Sequence, residues 1–436
     1  MKIAYITAGA AGMYCGTCMH DNTLAASLME RGHEVSLLPT YTPTRTDEGN
    51  VSGDKVFFGA LNVYLQQLGM FRNSRFMDRL LDSRRVLGWV SKMAGKSTTD
   101  ASDLGALTHS MLRGEAGHQA KELDKLIDFM EEHIKPDIVH VSLLLFAGFA
   151  RRVKERLDVP VVCSLQGDDL FLEDLVEPWK GRCLDEIRER VTEIDAFTAP
   201  CDYYARLMSH DYGVPLERTF QARLGIHGDD FKNAADRAPN ADPVIGYLAR
   251  QAPEKGLHQL IDAFLLLAPE RPTATLRVAG YLGPKDEAFV AEQRAKVEKA
   301  GLNDRVEWVG EVDREGKIEF LQSLDVFTVP TVYREPKGLF VPEALISGVP
   351  VVLPHHGAFP EWIERTGGGV LCESESPAAL SAALGELIDD PVRRRQLADR
   401  GREVVRRDFN PEVMADEMLD LYQRLLSGDV RAAAAA

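Results

Sequence analysis

The chain has 436 residues, of which 45% are hydrophobic and 27% charged, a composition typical of a soluble globular protein with two domains of about 200 residues each. Its formal net charge of -16 provides no global positive field, which argues against nucleic acid as the main partner. The chain has no apolar run of about 18 residues, so no transmembrane helix is predicted. MKIAYITAG resembles a first strand more than a signal peptide. Six cysteines in so long a chain do not indicate a disulfide framework, so we expect a cytoplasmic protein.

The first forty residues predict a strand, a loop, a helix and a second strand. Residues 1–7 suit a buried strand, AGAAGMYCGTC a loop, DNTLAASLMERGHEV a helix ending at Gly32, and EVSLLP the next strand. Such a unit commonly places a phosphate at the start of the helix. The GAAGMY loop is not a G-x-G-x-x-G fingerprint, so the case for an NAD-dependent oxidoreductase rests on the glycines alone.

Cys15, Cys18 and His20 follow this loop closely and allow three interpretations. A zinc site needs about four ligands, and no second close pair of cysteines or histidines completes one. The C-G-T-C pair could form a labile disulfide, whereas cysteines at a helix start are often simply small packed residues. We expect packing, and we predict no metal site.

The pattern loosens over about 45–120, which predicts an insertion in the first domain. Residues 70–93 within it are locally basic and carry apolar side chains near helical spacing. One interpretation is an interfacial membrane helix or a lid over an acceptor, which would give peripheral contact with the inner membrane face. The interpretation we favour is a helical insertion packed on the domain with its basic residues solvated.

Strands and helices alternate after the insertion, which indicates a parallel sheet with helices on both faces. The predicted strands are PDIVHVSLL, VPVVCSLQGDD and IDAFTAP. Ligands of such sheets bind in the loops that follow the carboxyl ends of the strands. Gln166 and Asp169 lie in one such loop, so they are candidate ligand contacts, although a polar loop tip would look the same.

A second α/β domain follows a polar, proline-containing linker at 232–243. VIGYLAR predicts a strand, and Arg250 and Lys255 lie on the loop that leads into the next helix. Fixed cations there would stabilise a departing nucleoside diphosphate, whereas two surface cations are the plain alternative. TLRVAG, RVEWVG and SLDVFTVP predict three further strands, and PEVMADEMLDLYQRLLSG a final helix.

The stretch from Thr328 to Glu361 predicts a strand, a loop, a short helix and another strand. Glu335 precedes a proline and should have an extended backbone. Gly338 allows the backbone angles that the following turn needs. Pro342 suits a first helical position and places Glu343 in the opening turn. The amides of Leu339, Phe340 and Val341 would then form an anion-binding concavity with a carboxylate on either side.

These motifs resemble those of family 4 of the retaining glycosyltransferases. E-P-K-G-L-F-V-P-E-A matches the family's E-P-F-G-L-x-x-x-E-A except at Lys337, where an aromatic residue is usual. S-L-Q-G-D-D resembles T-x-H-G-x-D with Gln166 at the histidine, and the loop after VIGYLA resembles G-R-L-x-x-x-K-G. The opening resembles a glycine pair with Cys15 at the first glycine, and His20 falls where the family often has a histidine.

The resemblance implies the GT-B fold, an α/β architecture of two doubly wound, Rossmann-like parallel-sheet domains facing across a cleft. The expected domains are an N-terminal acceptor-side domain over 1–236 and a C-terminal nucleotide-sugar domain over 237–410, with helix 411–427 returning to the first. The implied catalytic residues are Glu335, Arg250 and Lys255. The implied donor-binding residues are Gly16, Gln166, Asp169, Gly310, Lys337, Gly338, Leu339, Phe340 and Glu343.

The function implied by the resemblance is transfer of a hexose from a UDP-, GDP- or ADP-sugar to a glycan, lipid or small-molecule acceptor, with retained configuration, as in polysaccharide biosynthesis. The family needs no metal and no cofactor beyond the nucleotide-sugar co-substrate. In its accepted scheme the leaving phosphate takes the acceptor proton, and the two glutamates bind hydroxyls. Two alternatives remain: a glucan synthase of the glycogen or starch type, and a catalytically silent sugar-nucleotide-binding protein.

Overall fold

The computed structural model describes residues 1–9, 15–53, 55–58, 101–235, 240 and 242–429. The basic segment 70–93, which underlies the predicted membrane contact, lies outside these residues, as does most of the predicted insertion. Residues 10–14 of the glycine loop and 236–239 of the predicted linker also lie outside them. The chain forms two compact units, which are Met1–Gly225 with Pro411–Ala436, and Ile226–Asn410.

The first unit is built on a six-stranded parallel sheet with the order β2-β1-β3-β4-β5-β6. Its strands are β1 Lys2–Ala8, β2 Glu34–Thr40, β3 Ile138–Val141, β4 Val161–Ser164, β5 Ala196–Ala199 and β6 Thr219–Gln221. The described helices of this unit that precede the second unit in sequence are α1 Gly16–Glu30, α2 Ala101–Leu112, α3 Ala120–Phe129, α4 Ala150–Leu157, α5 Asp168–Glu173, α6 Trp179–Arg190 and α7 Asp202–Tyr212. The central strands β3, β4 and β5 are buried at every residue, as expected of strands covered on both faces.

The second unit repeats this architecture with the strand order β12-β11-β10-β7-β8-β9, again parallel throughout. Its strands are β7 Val244–Leu248, β8 Thr275–Ala279, β9 Val306–Gly310, β10 Val326–Phe327, β11 Val351–Pro354 and β12 Gly369–Cys372. Its helices are α8 Leu257–Leu267, α9 Glu287–Lys299, α10 Arg314–Gln322, α11 Phe340–Ile346, α12 Phe359–Thr366, α13 Pro377–Asp389 and α14 Pro391–Asp408. The predicted class, two doubly wound parallel-sheet domains, is confirmed.

The final helix, α15 Pro411–Ser427, packs in the first unit. Met414, Met418 and Tyr422 join a buried cluster with residues of β1, α1 and β2. The Ser27 hydroxyl of α1 donates to the Pro411 carbonyl at 3.0 Å, which fixes the start of α15 against α1. The first unit is therefore completed by a segment that follows the whole of the second unit in sequence.

Two helices begin earlier than the sequence suggested. Helix α1 starts at Gly16 rather than at Asp21, because Cys15 is extended and its carbonyl accepts from the Met19 amide at 3.0 Å. Helix α11 starts at Phe340, so Pro342 is its third residue and not its first. The Val341 amide donates to the Gly338 carbonyl at 2.9 Å, so the prediction that this amide is free to bind an anion was wrong.

Candidate functional site

The loops after β7 and β10 carry most of the predicted site of the second unit. These strands are neighbours in the sheet, so their carboxyl ends lie at the same edge and their loops leave side by side. The Val332 amide donates to the Glu254 carbonyl at 3.0 Å and joins the two loops. A Cβ on Gly256 would lie 1.6 Å from the Pro330 carbonyl oxygen, so only glycine permits this approach. The topology thus brings Lys255 to Glu335.

Lys255, Glu335 and Tyr333 form a three-membered polar cluster. The Lys255 Nζ lies 2.9 Å from Oε2 of Glu335, and the Tyr333 hydroxyl donates to the same oxygen and accepts from Lys255. The Gly338 amide donates to Oε1 of Glu335 at 3.1 Å. Lys255 Nζ also lies 4.8 Å from the centroid of the Tyr333 ring and 5.7 Å from that of Phe340. Both carboxylate oxygens of Glu335 are therefore held in place.

The cluster keeps Glu335 ionised although its side chain is only 6% exposed. Burial alone would raise the pKa of Glu335, but Lys255, Tyr333 and the Gly338 amide stabilise the charged form, and the net pKa is lowered. The pKa of Tyr333 is raised well above its usual value by burial and by the neighbouring Glu335. At neutral pH the site thus contains an ionised Glu335 and a neutral Tyr333 phenol next to Lys255, and Glu335 can only accept hydrogen bonds.

Arg250 lies in the same loop as Lys255 but has different partners. Its guanidinium pairs with Glu254, and its Nη1 lies 3.8 Å from Oδ2 of Asp286. The Arg250 side chain is about one-third exposed, whereas Asp286 is buried. Arg250 is thus positioned by carboxylates at the edge of the loop and remains accessible to an anion.

Glu343 and Lys317 form a second, separate ion pair. The Lys317 Nζ on α10 lies 2.6 Å from Oε1 of Glu343 in the first turn of α11, and both side chains are 10% exposed. The sequence prediction missed Lys317. The sequence spacing could have shown that Lys317 is buried, because Lys317, Phe320, Leu321 and Leu324 have the i, i+3, i+4, i+7 spacing of a buried helix face.

Gly310 and Lys337 complete the predicted residues of the second unit. Gly310 ends β9 with a φ of +85°, and its carbonyl accepts from the Gly280 amide at 2.7 Å. Lys337 is buried, and its carbonyl accepts from Nε1 of Trp362 at 2.8 Å. The lysine at the family's aromatic position is therefore packed into the unit rather than solvated.

In the first unit Gln166 is bound to a buried aspartate that the sequence prediction missed. Its Nε2 donates to Oδ1 of Asp21 at 2.7 Å and to the Ser142 carbonyl at 3.2 Å. Asp21 also accepts from the Thr7 hydroxyl at 2.5 Å and the Tyr5 hydroxyl at 3.0 Å. Because both partners of the Gln166 amide nitrogen can only accept, the orientation of this amide is fixed.

Asp21 is fully buried and faces the predicted His20 as well, with His20 Nδ1 3.4 Å from Oδ1 of Asp21. Burial alone would raise the pKa of Asp21, but His20, Thr7 and Gln166 stabilise the carboxylate, and the net pKa is lowered. The available signal was the polar run Asp21-Asn22-Thr23, which interrupts an otherwise apolar helix and is buried throughout.

Asp169 and its neighbour Asp168 begin α5 after the Gln166 loop. The Tyr204 hydroxyl donates to Oδ1 of Asp169 at 2.7 Å and accepts from the Gly167 amide at 2.9 Å. Burial raises the pKa of Asp169, and it raises the pKa of Asp168 to about 7. Gly16 contributes the first residue of α1. Each unit thus presents predicted site residues at the carboxyl ends of its own strands.

Two protein-family models match adjacent parts of the chain. "Glycosyl transferase 4-like domain" matches residues 22–225, and "Glycosyl transferases group 1" matches residues 229–404. The D-inositol 3-phosphate glycosyltransferase of Xylanimonas cellulosilytica is 30% identical over 305 residues, which span 66% of this chain and 71% of that protein. The chain belongs to glycosyltransferase family 4. The glycosyltransferase is also similar to the glycogen synthase of Mycobacterium tuberculosis, with 26% identity over 343 residues, 74% of this chain and 76% of that one.

Solved structures agree with the GT-B fold of this glycosyltransferase. Anabaena Alr3699/HepE in complex with UDP superposes with a TM-score of 0.68 at 16% identity, covering 97% of this chain and 100% of that one. Sucrose-phosphate synthase from Thermosynechococcus elongatus gives a TM-score of 0.69, also at 16% identity, covering 98% and 100%. At such identities the likeness concerns the fold.

Two further features bear on partners. No helix in the described part of the glycosyltransferase is long and apolar enough to cross a membrane. Among the described side chains, no group of three or more His, Cys, Asp and Glu is arranged to hold a metal ion.

Proposed function

We propose that this glycosyltransferase moves a hexose from a nucleoside-diphosphate sugar to an acceptor hydroxyl with retention of configuration and without a metal ion. The observation that carries the proposal is the Lys255–Glu335 ion pair, which places a buried carboxylate and a cation together at the carboxyl edge of the second sheet. Such an edge is where open α/β sheets bind nucleotides. The resemblance of the surrounding motifs to family 4 supports the same function.

In the proposed reaction, Glu335 binds hydroxyls of the donor sugar and does not transfer a proton. The support is its lowered pKa, which leaves an ionised carboxylate that accepts hydrogen bonds. A donor hydroxyl would share the oxygens now bound by Tyr333 and the Gly338 amide. This assignment differs from the paired acid and nucleophile of a glycosidase, which flank one glycosidic bond.

The diphosphate would lie between Lys255, Arg250 and the start of α11, where Leu339 is the N-cap residue and Phe340 the first helical residue. As the glycosidic bond breaks, negative charge grows on the leaving diphosphate, and fixed cations stabilise that charge more in the transition state than in the ground state. The pairing of Arg250 with Glu254 holds the guanidinium near this place before the ligand arrives. Glu343, held by Lys317, would bind the ribose hydroxyls.

The proton of the acceptor would pass to the leaving phosphate on the same face of the sugar, which gives retention. From the resemblance of their motif we also propose that Gln166 and Asp169 bind the donor, and the Asp21 contact supports a fixed role for Gln166. For the donor we propose a UDP-, GDP- or ADP-sugar. The fold relative Anabaena Alr3699/HepE binds UDP and UDP-glucose in its crystal structures, and one sequence relative is a glycogen synthase.

A second candidate is a glucan synthase that extends a glycan, which the similarity to the Mycobacterium tuberculosis glycogen synthase favours. A third is a silent sugar-nucleotide-binding protein, because both oxygens of Glu335 already have partners within the chain. The two enzymatic candidates release nucleoside diphosphate, whereas the silent protein only binds it.

The test is incubation with a panel of UDP-, GDP- and ADP-sugars, with and without glycan acceptors, followed by measurement of released nucleoside diphosphate. We expect release from one donor class, unchanged by EDTA, and an α-linked product by NMR from an α-linked donor. Glu335→Ala should abolish turnover and leave nucleotide binding mostly intact. The exposed Glu364→Ala on α12 is the matched control and should behave as the wild type.

Three results would count against the proposal. Binding of nucleotide without release from any donor would favour the silent binder. An inverted product would exclude the retaining mechanism, and an unchanged rate for Glu335→Ala would remove the role assigned to that carboxylate.

A further inference from the structure

Two cysteines occupy special positions at the start of α1. Cys15 is the N-cap residue, with extended backbone at φ −123° and ψ 128°, and its carbonyl accepts the first helical hydrogen bond from Met19. Gly16 is the first helical residue and Cys18 the third. The sequence Cys-Gly-Thr-Cys therefore spans the N-cap and first turn of the helix within a strand–helix–strand unit, an arrangement typical of dithiol redox motifs.

The backbone geometry suits a disulfide between these two residues. An N-cap side chain folds back over the second and third helical residues, which is how serine or aspartate reaches the amide at the third position. Here the third residue is Cys18 itself. Residues three apart on a helix have Cβ atoms about 5–6 Å apart, whereas a disulfide needs Cβ atoms about 3.5–4.5 Å apart. The backbone must therefore bring the two Cβ atoms about 1–2 Å closer, and Cys15, which is extended and lies outside the helical turns, is the residue that can move.

The two thiols have different surroundings. Cys15 is partly exposed, whereas Cys18 is 1% exposed and its Sγ donates to the Ala8 carbonyl at 3.0 Å. The positive end of the helix dipole favours negative charge at the first turn, so Cys15 is placed to be the attacking thiolate. Cys18, which is covered, is placed to attack Cys15 once Cys15 has formed a mixed disulfide. Reversible dithiol pairs need one accessible thiol that attacks and a second thiol close by that displaces the mixed disulfide, and a covered second thiol can do this.

The other four cysteines lack this arrangement. Cys163, Cys183 and Cys372 are buried on β4, α6 and β12, and burial raises the pKa of each, to about 12 for Cys183 and about 11 for Cys372. Cys201 is also an N-cap residue, of α7, but the residue three positions later is Tyr204. The chain therefore provides one helix start with a cysteine pair and one with a single cysteine, which form a matched comparison.

We propose that Cys15 and Cys18 are a reversible oxidation site that cycles between a dithiol and an intrahelical disulfide. The Cys15 thiolate attacks one sulfur of a small-molecule disulfide such as oxidised glutathione, and the first thiol leaves. The Cys18 sulfur then loses its proton, attacks Cys15 in the mixed disulfide and releases the second thiol. The two cysteines lose two electrons and two protons, and the small-molecule disulfide is reduced to two thiols.

Oxidation changes the contacts of the neighbouring strand β1. The Cys18 S–H that donates to the Ala8 carbonyl is lost, and the Thr7 hydroxyl lies 3.5 Å from the same carbonyl. The same hydroxyl donates to Asp21, which in turn holds Gln166. We therefore expect the disulfide to loosen the Asp21–Gln166 contact and to lower donor turnover about fivefold, the effect of one net hydrogen bond.

Disulfide formation is tested on the intact protein by equilibration in glutathione buffers from fully reduced to fully oxidised, followed by alkylation, trypsin digestion and mass spectrometry. Both cysteines lie in one tryptic peptide, Ile3–Arg31, which contains no internal lysine or arginine. The oxidised peptide should lose two hydrogens and resist alkylation, and dithiothreitol should reverse both changes. Alkylation of both cysteines in every buffer would overturn the proposal.

Three variants complete the test. Cys15→Ser and Cys18→Ser should each abolish the mass loss, whereas Cys201→Ser, the matched N-cap control, should keep it. A persistent mixed disulfide on Cys15 in Cys18→Ser would identify Cys15 as the attacking thiol, and one on Cys18 in Cys15→Ser alone would contradict that order. The peptide measurement does not depend on the proposed function. Only the turnover measurement does, and equal turnover of the reduced and oxidised protein would overturn the coupling to Gln166.

Discussion

Two buried carboxylates, Glu335 in the second unit and Asp21 in the first, are stabilised in different ways. Glu335 has a full positive charge 2.9 Å away on Lys255 and two further donors. Asp21 has no lysine or arginine partner among these contacts and is held by His20 at 3.4 Å and by the hydroxyl and amide donors Tyr5, Thr7 and Gln166. Both have a lowered pKa despite burial, so both are ionised at neutral pH.

The difference indicates different roles. An ion pair at a sheet edge, reached from two loops, suits a site that must meet an anionic ligand, since the cation can be shared with that ligand. A carboxylate that several short side chains of β1, of α1 and of the loop after β4 contact at once suits the positioning of another side chain, here the Gln166 amide. Three perturbations test this comparison, in order of decreasing effect.

The largest effect is expected from Lys255→Met, which keeps the aliphatic stem and removes the charge. Donor turnover should fall about 10²–10³-fold, the loss typical of one preorganised electrostatic group. The free energy of unfolding should fall by about 3–5 kcal/mol, because Glu335 becomes a buried charge without its cation. Urea unfolding and nucleoside diphosphate release measure the two quantities.

The double variant Lys255→Met with Glu335→Gln is the control for this change. It removes both charges, so it should recover part of the lost stability while turnover stays low. Recovery of turnover in the double variant would show that the ion pair is structural only.

An intermediate effect is expected from Asp21→Asn in the first unit. The new amide nitrogen must face Thr7, Tyr5 or Gln166, which all donate, and the loss should be about 1–3 kcal/mol in urea unfolding. Asp416→Asn is the matched control, because Asp416 pairs with Arg31 at the surface of the same unit and is 69% exposed. Its change should stay within about 0.5 kcal/mol. Equal losses for the two variants would contradict the distinction between buried and surface carboxylates.

The smallest effect is expected from pH. Because the folded-state pKa of Glu335 is lowered, its contribution to stability is present above the unfolded-state pKa of about 4.3 and is lost as pH falls through the folded value. Acid unfolding should therefore begin below about pH 5, and Glu335→Gln should flatten this part of the stability profile. A variant with an unchanged acid profile would show that Lys255 does not stabilise the charged form.

The sequence predicted the fold well because parallel α/β units leave a strong local signature. Buried strands such as IVHV and VVLP are continuous apolar runs, and the helices between them have visible ends. The helix starts were less certain. The sequence alone did not show that Cys15 rather than a later residue caps α1, since an N-cap is defined by backbone angles.

The candidate site was only partly predictable. Glu335, Lys255 and Gln166 were found through their motifs, whereas Tyr333, Lys317 and Asp21 were missed. These three act through partners that are distant in sequence or lie on another element, and nothing in their local spacing identifies those partners. Asp21 is 145 residues from Gln166, and the contact exists because β1 and β4 flank β3 in one sheet.

The sequence by itself determined the two parallel-sheet domains, the family and the residue types of the candidate site, because these depend on short-range patterns and fixed motifs. Only the tertiary structure decided that Lys255 pairs with Glu335, that Lys317 holds Glu343 and that Asp21 orients Gln166. It also decided that Val341 has no free amide and that Cys15 is the N-cap residue of α1. The physical reason is strand order: neighbouring strands such as β7 and β10 deliver loops to one edge, and that order becomes visible only when the sheet is assembled.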